Sequence, residues 1–185
     1  MVATDSAWPA LPTVRPYLDL LRSYHADETP HSGRHLIDHL IATHDLLAQW
    51  GNPPDVCRAG LFHSIYGTNI FTLQSASLGD RDRLRAAIGP VAERLAYLFC
   101  VIDRPIALLK AALMQDYVLE DRHQNTQITI TPDELAQLIE IEVANFLEAP
   151  EDVETIRQIN LILDRFAPPI IRAETRAALK AYLAA

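Results

Sequence analysis

Two apolar segments each carry a histidine suited to chemistry. One is Ser32-Gly33-Arg34-His35-Leu36-Ile37-Asp38-His39, and the other is Ala59-Gly60-Leu61-Phe62-His63-Ser64-Ile65-Tyr66-Gly67-Thr68. Neutral imidazoles ligate divalent metals, so His39 and His63, brought together from neighbouring helices, can share one metal ion or one anionic substrate. A hydrolytic metal site also wants carboxylates, to offset the ion's charge and orient water. The residue after His63 is Ser64, a neutral hydroxyl and a poor ligand. Asp103, Asp116, Glu140 and Glu142 follow, and the sequence alone does not place them. Hydrogen-bonded core histidines are the plain alternative for the pair.

Other residues define what else such a site holds. His31, Ser32 and Arg34 lie at a loop-to-helix junction, where free N–H groups and the helix dipole favour an anion. Tyr66 follows His63 closely enough to stack on a ligand or bond it. His35 and His39 share a helix face by their spacing. The zinc-protease motif requires Glu directly after the first histidine, and Leu36 stands there, so that reading is rejected. A Gly-rich phosphate loop, a serine nucleophile elbow and a C-x-x-C pair are all absent from the chain.

The elements that must position these residues read as helical almost throughout. Apolar spacing predicts a helix across Val14 to Tyr24, a loop over Asp27 to Gly33, and a helix from His35 to Trp50. Gly51-Asn52-Pro53-Pro54 turns the chain into a third helix, Pro54 to Ser64, antiparallel to the second. Residues 65 to 80 form a long irregular connection, of the kind that often carries function. Shorter helices follow at Asp80 to Ala87, Val91 to Ile102 and Pro105 to about Glu120, with an extended piece at Asn125 to Ile130. Thr131-Pro132-Asp133-Glu134 starts a helix to Leu147. Further helices are expected over Glu151 to Phe166 and, as a surface helix, over Arg172 to Leu183.

The chain of 185 residues is long enough for one domain, 1–185, with its own core, and 49% hydrophobic against 22% charged residues suits a globular protein. A net charge of −8 without a basic run argues against a nucleic-acid surface. Cys57 and Cys100 lie in apolar runs and read as buried free thiols, so a reducing cytoplasm is expected. Met1 to Pro12 lacks the pattern of a signal peptide, and no apolar run is long enough for a transmembrane helix. A homo-oligomer stays open.

Ser32-Gly33, His39, the helix to Trp50, Gly60-Leu61-Phe62-His63 and Ile88-Gly89-Pro90-Val91-Ala92-Glu93-Arg94-Leu95 resemble the HD-domain metal-dependent phosphohydrolases. The hydrolase domain of the guanosine tetraphosphate (alarmone) synthetase/hydrolases is the most similar, over about residues 30 to 103. The Phe62–Thr68 string resembles a divergent branch with His-Ser in place of His-Asp. The resemblance implies an all-α, compact helical bundle with its site between the second and third helices and His39 and His63 as metal ligands. Ser64 stands at the family's Asp, and Gly67 and Thr68 stand at its Glu-Asp pair. The final Asp falls on Ile141, between Glu140 and Glu142, while Asn145 matches a downstream Asn.

Two functions follow as expectations. One is a metal-dependent hydrolase of a small phosphorylated or nucleotide-like metabolite. There His39, His63 and Glu142 hold Mn, Fe or Zn, Ser64 and Tyr66 orient water or substrate, and His31, Ser32, Arg34 and Asn145 bind the substrate. The other is a metal-free ligand-binding or regulatory protein on the same scaffold.

Overall fold

The structure, a computed structural model, describes residues 14–149 and 152–185. The leader reading on Met1 to Pro12 and the helix start expected at Glu151 lie outside these residues. Among the described residues no helix is long and apolar enough to cross a membrane.

Helix α1 spans Arg15–Ser23, and Pro16 sits in its first turn, where a missing N–H costs nothing. A two-residue hairpin follows: β1 (Pro30–His31) pairs antiparallel with β2 (Arg34–His35). Its turn is Ser32-Gly33, at φ +45° and +81°, the left-handed backbone a tight hairpin of this twist requires. The expected loop is therefore an ordered clip, and it fixes His31 and Arg34 beside the start of the next helix.

Helices α2 (Leu36–Gln49) and α3 (Pro54–Phe62) are the antiparallel pair that the Gly51–Pro54 turn forecast. They approach closely because Gly60 has no side chain. A Cβ there would stand 2.4 Å from Leu47 Cδ1. α3 ends at Phe62, so His63 is its C-cap. The irregular connection runs to a 3₁₀ turn at Leu78–Asp80, then α4 (Arg81–Ile88) and α5 (Pro90–Val101) follow.

Helix α6 covers Ile106–Met114 and stops short of the expected Glu120. Gln115 turns left-handed (φ +51°), and Val118–Asp121 (β3) pairs antiparallel with Thr126–Thr129 (β4). α7 (Pro132–Glu148) opens with a reciprocal cap between Thr131 and Glu134. α8 spans Val153–Leu163, and α9 spans Ala173–Ala184. α9 is more than a surface helix, because Thr175 and Leu179 are buried and it packs on α7 and α8.

The result is a mostly helical fold with two small hairpins. α3 is sandwiched between α2 and α5, and α7 crosses α2 and α3. Leu40, Leu47, Val56, Leu61, Phe62, Leu98 and Phe99 form the centre of the core, each fully buried. Cys57 and Cys100 are buried and unpaired, as expected. Burial pushes their thiols up to about 11 and about 12, so neither is a ready thiolate nucleophile.

Candidate functional site

The α2–α3–α7 junction brings the two histidines together. His39 is buried in the first turn of α2, and His63 is buried at the end of α3. Their Nε2 atoms stand 3.1 Å apart. Asn145, on α7, places its Oδ1 3.0 Å from His63 Nε2. His31 stacks on His39 with ring centroids 4.1 Å apart, and the Phe99 ring meets His63 edge-on at 5.2 Å.

The far nitrogens have their own partners. His63 Nδ1 lies 2.6 Å from the Gly60 carbonyl, so it carries the proton and donates. His39 Nδ1 contacts one oxygen of Glu148, and Arg34 contacts the other. A carboxylate paired with a guanidinium accepts, so the His39 proton also sits on Nδ1. Burial favours the neutral form of both rings. Burial first, then the His63, His31 and Arg34 charges, push His39 far below the ordinary range. Burial leads in pushing His63 down to about 3, against the bond to Gly60.

With both protons on Nδ1, His39 Nε2, His63 Nε2 and Asn145 Oδ1 turn three lone pairs toward one another with no proton between them. Such a group attracts a cation. Donors bound to a common ion at 2.0–2.1 Å stand about 2.9–3.4 Å apart, and the observed separations fall in that range. Glu148 and the Gly60 carbonyl then occupy the supporting positions that orient metal-bound histidines. Among the described residues no three His, Cys, Asp or Glu side chains form a ligand group, because the third donor here is an amide.

Several sequence expectations change. Glu142 does not reach the histidines. Arg104 Nη1 donates to its two oxygens at 2.9 and 3.1 Å, both side chains being buried. Burial raises the Glu142 carboxyl while Arg104 opposes it. Glu140 is taken by Asn52, the Arg172 N–H and Thr175, and Asp103 by Asn69. Tyr66 turns away from the site and donates to buried Glu93 at 3.1 Å, where Arg81 also binds. Arg34 is committed to Glu148 and is not in the cleft wall. Glu148 itself was missed. It lies three residues beyond Asn145 on α7, as Glu142 lies three before it, so both flank the same helix face.

A cleft of about 380 Å³ opens on this group. His31, Ser32, His39, Ser64, Arg104 and Asn145 line it, with Pro30, Ile70, Phe71, Pro105 and Phe146 as apolar wall and Asp152 and Thr155 also in contact. Three of the four residues expected to bind substrate, His31, Ser32 and Asn145, therefore share one space with Ser64.

A family described as a domain of unknown function, DUF6817, matches residues 20–104, a little under half of the chain. The matched region carries His31, His39, His63, Ser64 and Arg104 and ends before α7, so it excludes Asn145 and Glu148. No curated protein and no solved structure matches.

Proposed function

We propose that this protein is a metal-dependent hydrolase of a small phosphorylated metabolite, on an HD-domain-like helical scaffold working in the cytoplasm. The observation that carries this is the convergence of three unprotonated donors, from α2, α3 and α7, two of which, His39 and Asn145, line an open cleft. His39, His63 and Asn145 would hold a divalent ion (Mn, Fe or Zn), which when bound supplies an acidified water and a positive centre for an anionic substrate.

The rest of the site serves that arrangement. Glu148, anchored by Arg34, keeps the His39 proton on Nδ1, and the Gly60 carbonyl does the same for His63. Because all three donors are neutral, the charge they surround is left available to the substrate anion. Ser64, buried beside His63 and lining the cleft, offers a hydroxyl to water or substrate. His31 closes the stack on His39 and excludes solvent from that side.

One alternative has a definite structural form. Turning the Asn145 amide by 180° would aim its NH₂ at the imidazole lone pairs. The cluster would then close on itself without a cation, as a metal-free binding pocket requires.

Metal analysis of purified protein, followed by titration with Mn²⁺ and Zn²⁺, separates the two. One equivalent bound in the wild type and lost in His39→Ala and His63→Ala is expected. Protein that binds neither ion, yet is thermally stabilised by phosphorylated ligands, would overturn the hydrolase reading in favour of the pocket.

A further inference from the structure

The cleft wall combines a buried polar end with an apolar stretch nearer solvent. Its buried end is polar: His39 and Ser64 are almost wholly buried, and so is Arg104, at 3% exposure. Toward solvent it carries an apolar wall, Pro30, Phe71, Pro105, Phe146 and Ile70, the last 61% exposed, beside the exposed polar residues Ser32 and Asp152. Among the described residues, Arg104 and Asp152 are the only Arg, Lys, Asp or Glu in the lining. The Arg104 guanidinium spends Nη1 on Glu142 and has Nη2 3.3 Å from Thr68 Oγ1, while its buried Nε–H has no hydrogen-bond partner among the described residues. An unpaired N–H on a buried guanidinium is costly unless something accepts from it.

We propose that the cleft takes a phosphate monoester of a compact apolar alcohol, with Arg104 as the anchor of the phosphate and Ile70, Phe71 and Phe146 as the seat of the apolar body. This rests on the hydrolase reading and narrows its substrate. A di- or triphosphate needs several cationic or N–H donors along its length, whereas this wall supplies one partly used guanidinium. Asp152 repels additional negative charge. A cavity of about 150 Å³ holds a benzene ring, so the available space fits one phosphate and one or two rings. In the reaction a water oxygen bonds to phosphorus as the ester P–O bond breaks. The electron pair of that bond leaves on the alcohol oxygen, which takes a proton, and inorganic phosphate is the other product.

The test uses Mn²⁺-loaded full-length protein with 1-naphthyl phosphate, phenyl phosphate, AMP and ADP as substrates, and Mn²⁺ titration alone as a separate measurement. The aryl phosphates are expected to exceed ADP at least tenfold in kcat/KM. Ile70→Glu, on an exposed side chain, should lower aryl phosphate kcat/KM about tenfold and leave Mn²⁺ binding intact. Arg104→Lys, which keeps a cation for Glu142, should raise KM for every phosphate. ADP turned over as well as the aryl phosphates, or Ile70→Glu without effect, overturns the substrate proposal while the hydrolase reading stands. Absence of both Mn²⁺ and Zn²⁺ binding overturns both.

Discussion

Acid should destabilise this protein well above the pH at which carboxylates protonate. His63 is neutral in the fold and holds its pKa down at about 3, against about 6.5 in an unfolded chain. Below pH 6.5 the unfolded state therefore binds a proton that the native state refuses. Native stability is unaffected above pH 6.5 and falls as pH drops from 6.5 toward 3, by about 1.4 kcal/mol per unit for one such residue. At pH 5 the loss from His63 is about 2 kcal/mol, a large share of a domain's usual margin. His39 is shifted in the same direction and adds to it. Urea unfolding of chelator-treated protein at pH 7, 6 and 5 measures the slope, and His63→Gln should flatten it by the His63 share. A free energy unchanged between pH 7 and 5, or a His63 ring that titrates near 6.5 by NMR, would refute the burial and tautomer assignments on which the site is built.

Four further outcomes are expected. Glu148→Gln replaces a group that only accepts with an amide that also donates, so it no longer fixes the His39 tautomer and should weaken divalent-metal binding about 10- to 100-fold by calorimetry. Asn145→Asp exchanges a neutral donor for a charged one and should tighten binding of the same ion; unchanged affinity would remove Asn145 from the donor set. Glu142→Gln should leave metal stoichiometry intact but cost about 3–5 kcal/mol in denaturant unfolding, because it leaves Arg104 buried without its counter-charge. Gly60→Ala, whose Cβ would strike buried Leu47, should cost about 1–3 kcal/mol in the same assay.

Much of this arrangement is written locally. The apolar spacing of Leu36 to Leu47 and the Gly51–Pro54 turn suffice to set α2 against α3, and with them His39 against His63. Thr131 and Glu134 announce α7 by their reciprocal cap. What failed depended on contacts between distant segments. α6 read as continuing to Glu120 because Gln115 gives no warning of a left-handed turn, and the strand character of Val118–Asp121 is satisfied only by pairing with Thr126–Thr129. Tyr66 read as a site residue from its nearness to His63, but α3 ends at Phe62 and the chain turns, sending the phenol to Glu93.

Glu142 and Glu148 lie equally far from Asn145 along α7, so helical phase cannot choose between them. The choice is made by two arginines from elsewhere in the chain. Arg104, after α5, claims Glu142, and Arg34, on the Ser32-Gly33 hairpin, claims Glu148. The second pairing has the greater chemical consequence. By keeping Glu148 an acceptor, Arg34 assigns the His39 proton to Nδ1 and so leaves Nε2 bare toward His63 and Asn145. A residue expected to bind substrate thus acts two contacts away, by deciding where a proton sits. A neutral replacement such as Arg34→Gln should then weaken metal binding in the same direction as Glu148→Gln, though Arg34 touches neither donor atom nor cleft.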